Sequence, residues 1–139
     1  ITYIFDDIEG RGEQRQNVVI QRAPIDTYRA ARNFLRFWEP SAAMRFGSEL
    51  CPNTLARLKK MEIPSFLVNA QLSDRAYRRW KLIRRFARKI TRNLTFVWAA
   101  DNLQTLRFAN LGAKDIMSQD LPGAGKPREI LSRIRQMMK

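Results

Sequence analysis

The residues at 47–53 could do chemistry, because a carboxylate and several hydrogen-bonding groups follow a segment that is predicted to be a strand. The sequence GSELCPN contains Ser48, Glu49 and Asn53, and Pro52 indicates that a helix begins there. A carboxylate at such a turn faces the groove beside a sheet, and the first turn of the helix offers free amide hydrogens to an anion. In the alternative interpretation, Ser48 or Asn53 caps the helix and Glu49 offsets its dipole.

A second polar stretch, residues 69–73 (NAQLS), also follows a strand-like run. The side chains of Asn69, Gln71 and Ser73 could form hydrogen bonds with a sugar or a phosphate. The alternative is that Ser73 is the N-cap of the next helix and that the amides belong to an ordinary loop. Spacing alone leaves both interpretations open.

The third stretch, residues 75–92, is strongly basic, with nine Lys or Arg residues and no acidic residue. Helical spacing places Trp80, Ile83, Ala87 and Ile90 on one face. A basic amphipathic helix with an aromatic residue fits the surface of an anionic membrane, although a solvated helix packed on a sheet would show the same pattern. The cations assigned to an anionic surface are Arg78, Arg79, Lys81, Arg84, Arg85, Arg88 and Lys89.

The composition limits the kinds of function that the chain can have. It has 26 Lys and Arg residues against 13 Asp and Glu residues, a formal net charge of +13, no histidine and one cysteine, Cys51. A lone cysteine forms neither an internal disulfide nor a thiolate zinc cage, and histidine is the commonest general base, so we expect no metal and no cofactor. The charge instead predicts an anionic partner. Two classes compete, an anionic membrane or a nucleic acid, the latter suggested by this charge and by Tyr77, Trp80 and Phe86.

The elements that would position these residues alternate between strands and helices. Runs rich in β-branched and aromatic residues predict strands at residues 1–5, 17–21, 41–46, 63–69, 94–99 and 115–118. Helical periodicity predicts a first helix with Asp26 as its N-cap. It predicts further helices from Pro52, from Ser73 to about Arg92 with a break near residues 80–81, and from Asp101 to Gly112. This alternation is typical of an α/β fold with a Rossmann-like parallel sheet flanked by helices.

Two further expectations concern the packing and the organisation of the chain. The helix after Asp101 is expected to bury the apolar set Leu103, Leu106, Phe108 and Leu111. We expect residues 1–121 to form one domain, and residues 122–139 to form a linker (PGAG) and a terminal amphipathic helix. No apolar run approaches the roughly 20 residues that a membrane-spanning helix needs.

Four motifs in this order resemble the amino-terminal domain of the 3-deoxy-D-manno-octulosonic acid (Kdo) transferases. The Pro-x-Asp and aromatic-rich motif of that family is matched by Pro24, Asp26, Phe34, Leu35, Trp38 and Pro40. Its "ESELWPN" motif is matched in part by residues 47–53. Its "IPxxLxNARLSxRSxxxW" motif is matched by Ile63, Pro64, Leu67, Asn69, Ala70, Leu72, Ser73, Arg75 and Trp80, and its "LGA" by residues 111–113.

The resemblance implies the amino-terminal half of a GT-B-type glycosyltransferase that passes Kdo from CMP-Kdo to a lipid A precursor. Such an enzyme would be cytoplasmic and peripheral to the inner membrane, and its chemistry would need no metal. By this similarity the residues of the acceptor groove are Ser48, Glu49, Asn53, Asn69, Ser73 and Arg75. CMP-Kdo would be bound only by a second domain that this chain lacks.

Three departures from the family pattern lie within the motifs themselves. Gly47 stands in place of a glutamate, Cys51 in place of a tryptophan and Gln71 in place of an arginine. The glycine-glutamate motif near the amino terminus of the family is also missing, and a "GNLKFD" block is reduced to SQDL at residues 118–121. We therefore expect the chain to be a fragment or a divergent relative that is not active alone, with the non-catalytic interaction domain as the alternative.

Overall fold

A computed structural model describes residues 23–47, 50–118, 132 and 134–137 of the chain. The helices are α1 (Tyr28–Trp38), α2 (Pro52–Lys60), α3 (Asp74–Leu82), α4 (Arg84–Thr91) and α5 (Asn102–Leu111). The strands are β1 (Ala43–Phe46), β2 (Ser65–Ala70), β3 (Phe96–Ala99) and β4 (Ile116–Ser118). Within the described ranges, every predicted strand and helix is found. The strand predictions at residues 1–5 and 17–21 and the linker at 122–125 lie outside them.

The four strands form one parallel sheet in the order β1-β2-β3-β4. Each strand therefore lies beside its neighbour in sequence, and the helices that connect them lie on the same side of the sheet. That side holds one buried cluster, in which Leu55, Ala87 and Phe108 of three different helices pack with Leu67 and Val97 of the sheet. This architecture confirms the predicted Rossmann-like α/β fold.

The opposite face of the sheet carries a second buried cluster. Phe66 and Val68 of β2 pack there with Phe96 and Trp98 of β3. Ile134, in the terminal segment, is buried in the same cluster, and the described residues around it are helical. The described residues of the predicted terminal helix thus include one, Ile134, that is buried on this face. The division into domains at residue 121 stays a prediction.

Both ends of α5 agree with the sequence signals, whereas the start of α1 does not. Asp101 caps α5, because its Oδ1 accepts the amide hydrogen of Gln104 at 2.7 Å, and Gly112 ends that helix with a φ of 101°. At α1 the predicted cap was Asp26, but this is wrong. Thr27 is the N-cap, its Oγ1 accepting the amide hydrogen of Ala30 at 3.3 Å, and the Asp26 carboxylate is used elsewhere.

Helix α5 differs from its predicted packing. Leu103 and Leu106 are exposed, whereas Gln104, Phe108 and Leu111 are buried. Positions 104, 108 and 111 follow the helical spacing of four and then three residues, so a polar residue occupies the place of an apolar one on the packed face.

No helix in the part of the chain that the structure describes is long and apolar enough to cross a bilayer.

Helices α4 and α5 are joined at their carboxyl-terminal ends. The Thr91 hydroxyl is fully buried and donates to the carbonyl oxygen of Leu111 at 2.9 Å. Next to it, the side chain of Arg88 crosses Gly112 so closely that a Cβ atom there would lie 2.6 Å from the Arg88 Cγ. These contacts hold the basic α4 against the body of the protein.

Candidate functional site

The predicted site residues lie at the carboxyl edge of the sheet. Because all four strands are parallel, the ends of β1, β2 and β3 meet at the same edge, and α2, α3 and α5 begin there. Asn53 is the second residue of α2, Asn69 lies near the end of β2, and Ser73 and Arg75 lie at the start of α3. Ser48 and Glu49 lie outside the described residues. The structure therefore places four of the six predicted residues along one edge, and their role as acceptor ligands stays a prediction.

The amides at the start of α2 are not free, contrary to our expectation. The Asp26 carboxylate accepts the amide hydrogens of Asn53 at 3.0 Å and Thr54 at 2.9 Å, and the hydroxyl hydrogen of Thr54 at 2.6 Å. The side-chain amide of Asn53 donates to the backbone oxygen of Asp26 at 2.7 Å. Cys51 occupies the N-cap position of α2 but makes no side-chain cap. Asp26, from the segment before α1, caps the helix instead.

Asn69 stands out because its backbone is left-handed inside a strand, with a φ of 52°. The register between β2 and β3 shifts between Leu67 and Ala70, which places one extra residue in β2. Asparagine is among the residues that adopt this conformation most readily. The Asn69 side chain is exposed at the carboxyl edge, where its Oδ1 accepts a hydrogen bond from Gln71 Nε2 at 3.3 Å. The bulge therefore presents a polar side chain outward at the end of a buried strand.

Ser73 is the N-cap of α3, which confirms the structural interpretation of that residue. Its Oγ accepts the amide hydrogen of Ala76 at 3.2 Å. The serine is nonetheless exposed, so its hydroxyl hydrogen can still be donated to a ligand. Arg75 is exposed two residues further on. An acceptor could thus be contacted by a hydroxyl and a guanidinium from the first turn of this helix.

Two residues that the sequence did not single out hold the segment between β2 and α3. Gln104 Oε1 accepts the amide hydrogen of Leu72 at 2.8 Å, and Arg107 donates to the carbonyl oxygen of Leu72. Arg107 also forms an ion pair with Asp74, and its guanidinium lies 5.2 Å from the centre of the Tyr77 ring. The sequence contained one signal for this role of Gln104, which is a polar residue at a position where helical periodicity predicts an apolar one.

An open cleft of about 540 Å³ lies between this segment and α5. Gln71, Ser73 and Asp74 line one side, and Leu103 and Arg107 line the other. Amide, hydroxyl, carboxylate and guanidinium groups thus surround a partly apolar wall, a mixture that suits a sugar with its hydroxyl groups. The described residues hold no cluster of three His, Cys, Asp or Glu side chains that could bind a metal ion.

The basic stretch forms two helices rather than one. The chain departs from helical geometry at Ile83, so α3 ends and α4 begins there, instead of near residues 80–81. Ala87 and Ile90 are buried as predicted, but Ile83 is not on the packed face and is half exposed. Every cation of the stretch is exposed, namely Arg75, Arg78, Arg79, Lys81, Arg84, Arg85, Arg88, Lys89 and Arg92. We call these nine side chains the basic surface.

Comparison with known proteins adds an independent finding. Residues 8–120 match a family model described as 3-deoxy-D-manno-octulosonic-acid transferase. A probable mitochondrial 3-deoxy-D-manno-octulosonic acid transferase of Arabidopsis thaliana is 32% identical over 98 residues, which are 69% of this chain and 22% of that protein. A 3-deoxy-D-manno-octulosonic acid transferase of Rickettsia conorii is 31% identical over 100 residues, or 72% of this chain and 21% of that protein. The chain therefore spans about a fifth of the length of these curated relatives.

Proposed function

Because the chain belongs to the 3-deoxy-D-manno-octulosonic acid transferase family, we propose that it is the acceptor-side part of such a glycosyltransferase. The reaction would transfer Kdo from CMP-Kdo to a lipid A precursor at the cytoplasmic face of the inner membrane. The observation that carries the proposal is that Asn69 and Ser73 lie at one edge of the sheet, where Arg75 begins the basic surface.

The described residues offer groups that could bind the acceptor, and we assign CMP-Kdo binding to another domain. The carboxyl edge supplies hydrogen-bonding groups for a sugar acceptor, while the basic surface supplies positive charge for its phosphates. CMP-Kdo would be bound by a second, GT-B-type domain in the part of the relatives that lies beyond the match. The chain alone would then bind the acceptor without transferring sugar to it. Kdo transfer by the purified chain supplied with CMP-Kdo and the lipid A precursor would contradict this division.

The basic surface would hold the domain at an anionic membrane. Each Lys or Arg near such a surface contributes about 1 kcal/mol, so nine exposed cations on two adjacent helices suffice for reversible binding. The charge is concentrated, since residues 75–92 contain no acidic side chain. The first of the two helices begins directly after Ser73, so membrane contact would bring the acceptor residues close to the lipid headgroups.

Co-sedimentation with vesicles tests this function directly. Arg78, Arg79, Arg84 and Arg85 are changed together to glutamine, and binding is measured with vesicles of lipid A precursor in neutral lipid and with neutral vesicles alone. We expect at least a tenfold loss of binding to the charged vesicles, since several such contacts are removed. The matched control changes four exposed cations of α1 and α2 to glutamine: Arg29, Arg32, Arg36 and Lys59.

Two results would contradict the proposal. One is binding that is unchanged in the first variant or reduced equally in both, because the location of the charge would then not matter. The other is tight binding of oligonucleotides at physiological salt with a steep salt dependence, which would favour the nucleic-acid hypothesis. Two of the three aromatic side chains that this hypothesis invokes stack on each other, since the ring centroids of Trp80 and Phe86 lie 6.3 Å apart.

A further inference from the structure

The break between α3 and α4 exposes apolar side chains in the middle of the basic surface. Leu82 is 86% exposed and Ile83 is 50% exposed, and Phe86 nearby is 46% exposed. A continuous helix would have turned Ile83 toward the sheet, together with Ala87 and Ile90. At Ile83 the backbone instead takes φ −110° and ψ 44°, which ends one helix and reorients the next. We call Leu82 and Ile83 the apolar tip.

The surroundings of the apolar tip indicate what covers it. The flanking cations are all exposed, namely Arg78, Arg79, Lys81, Arg84 and Arg85. A protein partner that buried the tip would also have to neutralise or bury this ring of charge. A bilayer with anionic lipids meets both demands at once, because its phosphates lie just outside its acyl chains.

A second pair of exposed apolar side chains lies on α5, outside the basic surface. Leu103 and Leu106 of α5 are 55% and 63% exposed. The cation nearest to them in sequence, Arg107, forms an ion pair with Asp74, and its side chain is only 14% exposed. Leu106 does not line the cleft, and it therefore serves as the comparison for the apolar tip.

We propose that the apolar tip inserts into the headgroup–acyl boundary of an anionic bilayer while the basic surface binds the phosphates. This inference rests on the proposed membrane contact and adds an apolar component to it. The stacked pair of Trp80 and Phe86 flanks the tip in sequence, and aromatic rings favour the membrane interface. Insertion fixes the depth and tilt of α3, and so the height of Ser73 above the lipid phosphates.

Salt distinguishes insertion from purely electrostatic adsorption. Screening by salt weakens the contacts between exposed charges and phosphates. It does not weaken the favourable transfer of apolar surface into lipid. The experiment measures partitioning of the full chain into vesicles of lipid A precursor and neutral lipid, at low salt and at about 0.5 M salt. We expect Leu82→Ser with Ile83→Ser to reduce partitioning about tenfold or more at both salt concentrations. The control, Leu106→Ser, changes an exposed leucine that does not line the cleft, and it should bind like the unchanged chain.

Fluorescence quenching reports the insertion itself. In a Trp38→Phe background the remaining tryptophans are Trp80, near the tip, and Trp98, which is 1% exposed and remains as the unquenched baseline. Vesicles with brominated acyl chains should quench Trp80 on binding. The two serine substitutions at the tip should abolish that quenching, and circular dichroism with thermal unfolding verifies that each variant is folded.

The outcomes separate this inference from the proposed function. If the four arginine substitutions abolish binding but the tip variant binds and is quenched like the unchanged chain, insertion is refuted and the electrostatic contact stands. If the unchanged chain binds no charged vesicles, the proposed function itself fails. If the chain dimerises without vesicles and the tip substitutions abolish dimerisation, the tip is buried by a second copy of the chain and the inference is overturned.

Discussion

Replacing Asp26 tests whether one carboxylate joins the segment before α1 to the first turn of α2. In the structure this half-buried carboxylate accepts hydrogen bonds from two backbone amides, one hydroxyl and one side-chain amide, all on Asn53 and Thr54. The change Asp26→Ala removes all four of these hydrogen bonds. It leaves the amides of both residues without a partner, since Cys51 at the N-cap position provides no side-chain oxygen to replace the lost one.

The magnitude follows from these contacts. Loss of a helix N-cap costs about 0.5–2 kcal/mol, and hydrogen bonds to charged groups contribute about 1.5–3 kcal/mol each without being additive. We therefore expect Asp26→Ala to lower the free energy of unfolding by about 2–3 kcal/mol. Asp26→Asn should cost about half as much, because one amide oxygen remains as an acceptor.

Urea unfolding followed by circular dichroism measures the effect. With a slope of about 2 kcal/mol per molar urea, the midpoint should fall by about 1–1.5 M for Asp26→Ala. The control is Asp115→Asn, which removes one negative charge at an exposed position and should change the free energy of unfolding by no more than about 0.5 kcal/mol. Equal midpoints for Asp26→Ala and the control would refute the reasoning, as would unchanged hydrogen exchange at the amides of Asn53 and Thr54.

Two further predictions concern the junction of α4 and α5. Thr91→Val keeps the volume of the side chain but leaves the carbonyl of Leu111 without its donor, so the free energy of unfolding should fall by about 1–3 kcal/mol; an unchanged thermal midpoint would contradict this. Gly112→Ala must adopt a φ of 101° and would bring its Cβ to 2.6 Å from the Arg88 Cγ, so we expect a loss of about 1–2 kcal/mol or more. If shortening the neighbour in Arg88→Ala fully restored the stability of Gly112→Ala, the strained backbone would not contribute.

The order of the helices and strands could be predicted because each element has a local signal. Strand β2 has a run of buried apolar residues, α5 has an aspartate at its start and a glycine at its end, and the spacing of Ala87 and Ile90 indicates the packed face of α4. These signals depend on neighbours in sequence, which the amino-acid order contains. The carboxyl edge followed from them, because parallel strands end together.

The errors arose where distant residues compete for the same group. Asp26 has the position of a cap for α1, but its carboxylate accepts hydrogen bonds from the amides of α2 instead. Thr27 is the N-cap of α1. Gln104 occupies an apolar position because the backbone of Leu72 needs a partner that only the folded chain brings near. The break at Ile83 has no proline or glycine to mark it, so the break was predicted two to three residues too early, near residues 80–81.

The sequential order of the strands also affects how the chain folds. Ala43 pairs with Ser65, Phe66 with Phe96, and Val97 with Ile116, so each pairing closes a loop of only about 20–30 residues. Each strand and its connecting helix can therefore dock on the preceding unit as soon as they leave the ribosome. The helical layer would then be assembled from α1 toward α5 during synthesis, with the basic surface formed before the last strand is added.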